Sequence, residues 1–128
     1  MEFDGKRPTV KGPTEWFTGD VWLDGLIEPR DESTLMVAAV HFHPGARTAW
    51  HSHGGGQHLY VTEGRGLVQS RGGAVLEIRA GDTLWTPDGE EHWHGAAHDH
   101  FMTHLSLTTG AATWGDHVSD AEYGGGSA

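Results

Sequence analysis

Cysteine is absent from this chain of 128 residues. Its absence excludes disulfide bonds, thiolate metal sites and cysteine nucleophiles together. It says little about the redox compartment in which the protein works. Any chemistry that this protein performs therefore depends on other side chains.

Basic residues are also scarce, with 8 Lys and Arg against 18 Asp and Glu and a formal net charge of -10. So few cations exclude a basic patch that could follow nucleic-acid phosphates or an anionic membrane surface. No apolar run approaches the length of a membrane span, and the N-terminal stretch MEFDGKRPTVKGP has no apolar segment after its basic residues. We expect neither nucleic acid nor a membrane as a partner, and a cytoplasmic location by default.

A useful amphipathic helical pattern is missing before residue 110, and short apolar runs take its place, separated by Gly, Pro and Asp. This pattern, with 20 Gly and 6 Trp, is typical of many short strands joined by tight turns. The segment at 35–42 has apolar residues on both strand faces, which predicts burial on both faces. The sequence therefore predicts an all-β antiparallel barrel or sandwich in one domain. Its predicted strands lie within 15–27, 35–42, 48–53, 57–62, 66–71, 74–79, 82–86, 91–94 and 101–108.

The two ends of the chain differ in composition from its middle. Residues 1–14 are polar and contain Pro, which predicts an arm that orders only if something holds it. The barrel is expected to occupy 15–110. Residues 111–128 are expected to form a C-terminal extension, with one short helical turn within 114–123 and a flexible GGGSA tail.

Eleven histidines are the unusual feature of the composition, since imidazole is the commonest protein metal ligand and the usual acid or base near neutral pH. His51 and His53 are two residues apart on a predicted strand, so both rings lie on one face and can chelate one ion. The glycines at 54–56 permit a sharp bend, after which Gln57 can bring its amide oxygen back to the same point. His92 follows a predicted turn, on a strand that could cross the first pair.

Two segments resemble the two sequence motifs of the cupin family. As joint matches in the expected order, they are far more specific than any lone glycine-rich pattern. The resemblance implies a jelly-roll-like cupin β-barrel that holds one divalent metal ion on His51, His53, Gln57 and His92. The first motif has Gly45, five residues, His51-Ser52-His53, three residues, Gln57, six residues and Gly64; the second has Gly81, five residues, Pro87-Asp88-Gly89, two residues and His92.

The sequence departs from the family pattern at Gln57, where Glu is usual, and at Ala96, where Asn is frequent. Glutamine keeps an oxygen donor but removes a negative charge. An ion held by three neutral imidazoles and a neutral amide is a stronger Lewis acid and is less able to stabilise its own higher oxidation state. This favours polarising a substrate oxygen over activating dioxygen. The alternative is a barrel that has lost its metal, or a Gln57 that only forms hydrogen bonds.

Further candidates lie near the predicted ligands. His94 is two residues after His92 and so faces the same cavity, where it is well placed as a base. His104 shares with Ser106 a strand face that could point inward, and Thr48 is a weaker polar candidate. An apolar wall that accepts an aromatic or aliphatic group is expected from the strand before the first motif, on Met36, Ala38 and Val40.

A closer resemblance extends over most of the chain, through the segments KGPTEWFTG, PGARTAWHSH, GEEHWHGAA, MTHL and WGDHVSDAEY. These are similar to the small bacterial cupins that include manganese-dependent hydroxynitrile lyases. The resemblance implies Mn²⁺ as the ion, with Fe²⁺, Ni²⁺, Co²⁺ and Zn²⁺ as alternatives. It also implies a lyase that cleaves or forms cyanohydrins of the mandelonitrile type, with His94 as base and with His104 and Thr48 in the pocket.

Three other functions stay open. A metal-dependent isomerase or ring-opening enzyme acting on sugars or uronates would need a cation in the cavity, and Arg47 is the only basic residue near the motif. A dioxygenase is disfavoured by Gln57. A non-catalytic metal- or ligand-binding cupin would need no base. We expect a small-molecule substrate and a homodimer or higher homo-oligomer, with an intersubunit patch at Trp16, Phe17 and Trp22.

Overall fold

The computed structural model describes residues 1–125, and in that range the protein is built almost entirely of β-strands. The described part has twelve strands and one short helix. No helix in it is long and apolar enough to cross a membrane. The strands are β1 (Val10–Lys11), β2 (Phe17–Thr18), β3 (Val21–Ile27), β4 (Met36–Phe42), β5 (Arg47–Thr48), β6 (His51–His53), β7 (Gln57–Ser70), β8 (Leu76–Arg79), β9 (Thr83–Thr86), β10 (His92–Ala96), β11 (Met102–Thr108) and β12 (Ala112–Trp114), and the helix is α1 (Asp120–Gly125).

The strands form two antiparallel sheets that curl around a common interior. The first sheet has the order β1-β3-β4-β11-β7-β9. The second has the order β8-β7-β10-β5-β2, and β6 pairs with both β10 and β12. Strand β7 belongs to both sheets, because its first half pairs with β9 and β11 and its second half with β8 and β10. The predicted all-β antiparallel fold in a single domain is confirmed.

Strand β7 corrects the predicted strand boundaries. The turn-like pair Glu63-Gly64 predicted two strands, 57–62 and 66–71, but the structure has one strand of 14 residues. Gly64 has a φ of 80°, and a Cβ there would lie 2.0 Å from the carbonyl oxygen of Phe101. Only glycine tolerates both conditions. The chain therefore changes direction from one sheet to the other without ending the strand.

Strand β4 is less buried than predicted. Val37, Val40 and Phe42 are buried, but Met36 at the start of the strand is 46% exposed. Met36 lines the cavity that contains the candidate site. This largely apolar strand therefore is not covered along its whole length, because one end of it opens onto a pocket.

Two clusters form the core. The first lies between the sheets and includes Val40, Phe42 and Met102. The second consists of Trp50, Trp93, Val118 and Tyr123. Trp50 and Trp93 alternate with the inward-facing histidines of β6 and β10, so they occupy the opposite face of the second sheet. The C-terminal segment covers that face.

The chain ends attach to the sheets beyond the predicted barrel bounds of 15–110. β1 pairs with β3, so the N-terminal arm is held by backbone hydrogen bonds. β12 pairs with β6. The Tyr123 hydroxyl donates to the carbonyl oxygen of Ala96 over 2.6 Å, which fixes α1 to the second sheet. The helical turn predicted within 114–123 lies instead at Asp120–Gly125, so the helix includes the first two glycines of the predicted flexible tail. Residues 126–128 of that tail lie outside the described residues.

Candidate metal centre and pocket

Three histidines converge between the sheets. His51 and His53 project from β6, and His92 projects from β10 as the cross-strand partner of His51. Their ring nitrogens come within 4.8 Å of one another, and all three side chains are buried. The spacing of two residues predicted the first pair, and the antiparallel pairing of β6 with β10 adds the third. The cluster has the geometry to hold one metal ion.

Backbone carbonyls fix the protonation of two of these rings. His51 Nδ1 donates to the carbonyl oxygen of Ala49 over 2.9 Å, and His92 Nδ1 donates to that of Glu90 over 3.0 Å. A carbonyl oxygen accepts only, so each neutral ring carries its proton on Nδ1 and leaves the Nε2 lone pair free. This is the tautomer that second-sphere hydrogen bonds select in metal-binding histidines.

His53 is the least satisfied of the three. Both of its ring nitrogens are buried without a hydrogen-bond partner in the part of the chain that the structure describes. A buried polar atom without a partner is unfavourable. A cation that accepts one of these lone pairs removes part of that cost, so the arrangement fits a metal site better than a packed core.

Gln57, the first residue of β7, completes the group. Its Oε1 is 2.9 Å from His92 Nε2, and its Nε2 donates to the Ser106 hydroxyl over 2.8 Å. With the His92 proton on Nδ1, the facing Oε1 and Nε2 atoms both present lone pairs. Three imidazole nitrogens and an amide oxygen are a donor set that suits first-row divalent ions. The residues present therefore fit a metal of this class.

Burial keeps the histidines of the cluster neutral. Desolvation lowers the pKa of His53 to about 4, with a further contribution from the charge of His92. It lowers the pKa of His51 well below its usual value, and lowers that of His92 as well. Their lone pairs are therefore available to a cation at neutral pH.

The cluster opens onto a cavity of about 390 Å³. Met36 and Val40 form part of its wall, as predicted, whereas Ala38 packs against the first core cluster instead of lining it. The size is within the range of small-molecule sites. The lining residues are Trp16, Phe17, Met36, Val40, Thr48, His51, His53, Gln57, His94, His104, Ser106, Thr108, Ala112 and Trp114.

A second histidine pair lies beside the cluster. His94 Nδ1 is 2.9 Å from His104 Nε2, and both rings are buried and line the cavity. Among the described residues, His94 Nε2 and His104 Nδ1 have no hydrogen-bond partner. Burial lowers the pKa of His104 to about 4 and that of His94 well below its usual value. The two neutral rings are thus linked by one hydrogen bond, and the second nitrogen of each ring has no partner among the described residues.

Thr48 supports this pair from β5. Its hydroxyl oxygen accepts a hydrogen bond from the backbone N–H of His94 over 3.2 Å. Thr48 and His94 therefore hold β5 and β10 in register at the cavity wall. The structure brings all of the predicted polar candidates, His94, His104 and Thr48, to the same cavity.

Aromatic residues near the cavity were not predicted as part of the site. Trp114 on β12 stacks on His51 with ring centroids 4.6 Å apart, and Trp16 stacks on Trp114 at 5.0 Å. Trp16 and Phe17, which the sequence suggested for an intersubunit patch, line this cavity. Trp114 is the cross-strand partner of His51, so only the pairing of β12 with β6 identifies it.

Arg47 does not face the cavity. Its Nη2 donates to the carbonyl oxygen of Val118 and to Asp120 Oδ1, each over 2.8 Å, and its guanidinium lies over the Tyr123 ring. Within residues 1–125, the cavity lining contains no lysine or arginine. Arg47 therefore fixes the C-terminal segment, and among the described residues no Lys or Arg side chain of the wall could pair with a substrate anion.

The chain is similar to known proteins in sequence and in fold. The family model described as Cupin domain matches residues 38–107. An (R)-mandelonitrile lyase of Granulicella tundricola is 49% identical over 123 residues, which cover 93% of this chain and 94% of that protein. A cupin-like protein of Thermotoga maritima, known from its crystal structure, has a TM-score of 0.88 at 40% identity, with 91% of each chain covered. A cupin-2 domain protein of Rhodospirillum rubrum shares the fold, with a TM-score of 0.73 at 18% identity over 95% of this chain and 81% of that one.

Proposed function

The chain belongs to the cupin family, and on this premise we propose that it is a metal-dependent lyase that cleaves or forms cyanohydrins of the mandelonitrile type. The observation that carries the proposal is the buried His94–His104 pair beside the three-histidine cluster, in a cavity with aromatic and aliphatic walls. The name of the relative that is 49% identical supports the same reaction.

We assign His51, His53, His92 and Gln57 as the residues that hold the metal. Because all four are neutral, they leave the full positive charge of a divalent ion at the cavity. When bound there, such an ion supplies Lewis acidity that stabilises negative charge on a substrate oxygen. The resemblance favours Mn²⁺, and the donor set also suits Fe²⁺, Co²⁺, Ni²⁺ and Zn²⁺.

His94 is the proposed base. If its proton lies on Nδ1 and is donated to His104 Nε2, the free Nε2 can accept the proton of the cyanohydrin hydroxyl. The bond between the carbinol carbon and the nitrile carbon then breaks, and its electron pair leaves with cyanide. Cyanide takes the proton from His94, which yields the aldehyde and HCN and restores the base. His104 acts as a positioning residue that keeps the tautomer of His94.

The cavity walls fit the other part of such a substrate. Val40 and Met36 offer aliphatic surface, and Trp16, Phe17 and Trp114 offer aromatic surface for an aryl group. The apolar side chains of the lining lower the local polarity around the base, which strengthens electrostatic interactions inside the pocket. A neutral aryl cyanohydrin therefore matches the cavity in both charge and polarity.

The other functions have less support. An isomerase or ring-opening enzyme for uronates would use a cation against the substrate carboxylate, and Arg47 instead binds the C-terminal segment. A dioxygenase would gain from a carboxylate at position 57, because negative charge stabilises a higher oxidation state. A non-catalytic module gives no reason for two buried histidines with free nitrogens beside the cluster.

The test is cleavage of mandelonitrile by protein stripped of metal and then loaded with Mn²⁺. We expect benzaldehyde to form only with metal, and His94→Ala to reduce kcat about 10²- to 10⁴-fold, the range for loss of a general base. His58→Ala is the matched control, because His58 is exposed and packs on Trp85 away from the cavity. Protein that binds metal but cleaves no cyanohydrin would overturn the proposal.

A further inference from the structure

Thr108 carries a buried hydroxyl group that has no hydrogen-bond partner in residues 1–125. The residue is 3% exposed and lines the cavity. Within the described residues, its Oγ1 has no hydrogen-bond partner. A buried hydroxyl normally bonds to the protein, since burying it alone is unfavourable. The exception calls for a physical reason, and a ligand group is one.

The other two hydroxyl groups of the cavity each accept a hydrogen bond from the protein. Thr48 Oγ1 accepts from the backbone N–H of His94, and Ser106 Oγ accepts from Gln57 Nε2. Thr108 lies two residues beyond Ser106 on β11, so both side chains face the interior. Of the hydroxyl groups that line the cavity in residues 1–125, Thr108 is thus the one that neither donates nor accepts a hydrogen bond within the protein.

The strand register places Thr108 close to the proposed metal ligands. It is the cross-strand partner of Gln57 on β7 and of Met36 on β4. Side chains opposite each other on neighbouring strands have Cβ atoms about 5 Å apart. Thr108 therefore lies between Gln57 and the half-exposed Met36, on the mouth side of the site. Thr108, Gln57 and His94 all line the same cavity.

We propose that the Thr108 hydroxyl donates a hydrogen bond to the nitrile nitrogen of the substrate. The inference rests on the proposed function, because a cyanohydrin of the mandelonitrile type has two polar groups, a hydroxyl and a nitrile. The hydroxyl belongs at His94 and the metal ligands, so the nitrile is the group left for Thr108. A donor there also stabilises the charge that cyanide gains as the carbon–carbon bond breaks.

The test uses Thr108→Val, which keeps the shape of the side chain and removes the hydroxyl. Thr48→Val is the matched control, because it makes the same change in the same cavity at a hydroxyl that is hydrogen-bonded. An unpartnered hydroxyl costs stability, so Thr108→Val should raise the unfolding temperature by a few degrees and Thr48→Val should lower it. A lower unfolding temperature for Thr108→Val would mean that the hydroxyl is part of the structure, and would refute the inference.

The binding measurement separates the inference from the proposed function. Dissociation constants are measured for mandelonitrile and for 1-phenylethanol, which lacks the nitrile, on His94→Ala protein loaded with metal so that little substrate is turned over during the measurement. Adding Thr108→Val should weaken mandelonitrile binding about three- to tenfold, the net effect of one neutral hydrogen bond, and leave 1-phenylethanol unchanged. Equal weakening of both ligands, or of neither, overturns the role of Thr108. Loss of the nitrile preference in a protein that has no lyase activity would instead support Thr108 and refute the lyase.

Discussion

Metal binding should stabilise the folded protein strongly, because the metal ligands are already close together and neutral. His51, His53 and His92 are buried and neutral at pH 7, and their ring nitrogens already converge within 4.8 Å. Little reorganisation is needed before an ion binds. The experiment removes metal with a chelator, adds Mn²⁺ in steps and follows thermal unfolding, because a ligand that binds only the folded state stabilises it by mass action.

The magnitude follows from the linkage relation. At a free ion concentration 1,000 times the dissociation constant, the stabilisation is about 4 kcal/mol. For a domain of this size, each kcal/mol shifts the unfolding temperature by about 4 °C, so the expected rise is about 15 °C. His53→Ala removes one ligand and should lower the affinity at least about 100-fold, which leaves about 1.4 kcal/mol and a rise of about 5 °C at the same ion concentration.

The control and the refuting results are specific. His58→Ala removes an exposed imidazole outside the cluster and should keep the full rise. The reasoning fails if Mn²⁺, Fe²⁺, Co²⁺, Ni²⁺ and Zn²⁺ at millimolar concentration all leave the unfolding temperature unchanged. It also fails if His53→Ala responds to the ion as strongly as the unaltered protein does.

Two further predictions concern the neighbours of the cluster. Ser106→Ala removes the acceptor of the Gln57 amide and should weaken metal binding about 10- to 100-fold by calorimetric titration, whereas Ser52→Ala, on the opposite face of β6, should not. In metal-free protein, burial lowers the pKa of His104 from 6.5 to about 4, so the unfolded chain binds the proton more readily. The contribution of His104 to stability is therefore complete above pH 6.5, and about 3 kcal/mol of it is lost as the pH falls to 4. Urea unfolding at several pH values checks this loss, and the same slope in His104→Phe would contradict it.

The sequence predicted the fold class and most of the cavity, but it misplaced several boundaries. Gly64 carries a turn signal, yet β7 continues through it, because backbone pairing on both sides of the bend outweighs the local preference. Ser106 was predicted only to face inward. Its bond to Gln57 joins residues 49 positions apart, and no local pattern reports such a contact.

The amino-acid sequence was enough to show which side chains share a face of a strand. Two-residue periodicity put His51 with His53 and His94 with His92, since successive side chains of a strand point to opposite sides whatever surrounds them. Tertiary structure decided what meets across the sheets. The pairing of β12 with β6 places Trp114 against His51, and the C-terminal segment binds Arg47 away from the cavity. Packing of the described residues also leaves the Thr108 hydroxyl without a hydrogen-bond partner among them. These contacts depend on strand register and chain packing, which are set by the whole interior rather than by any one segment.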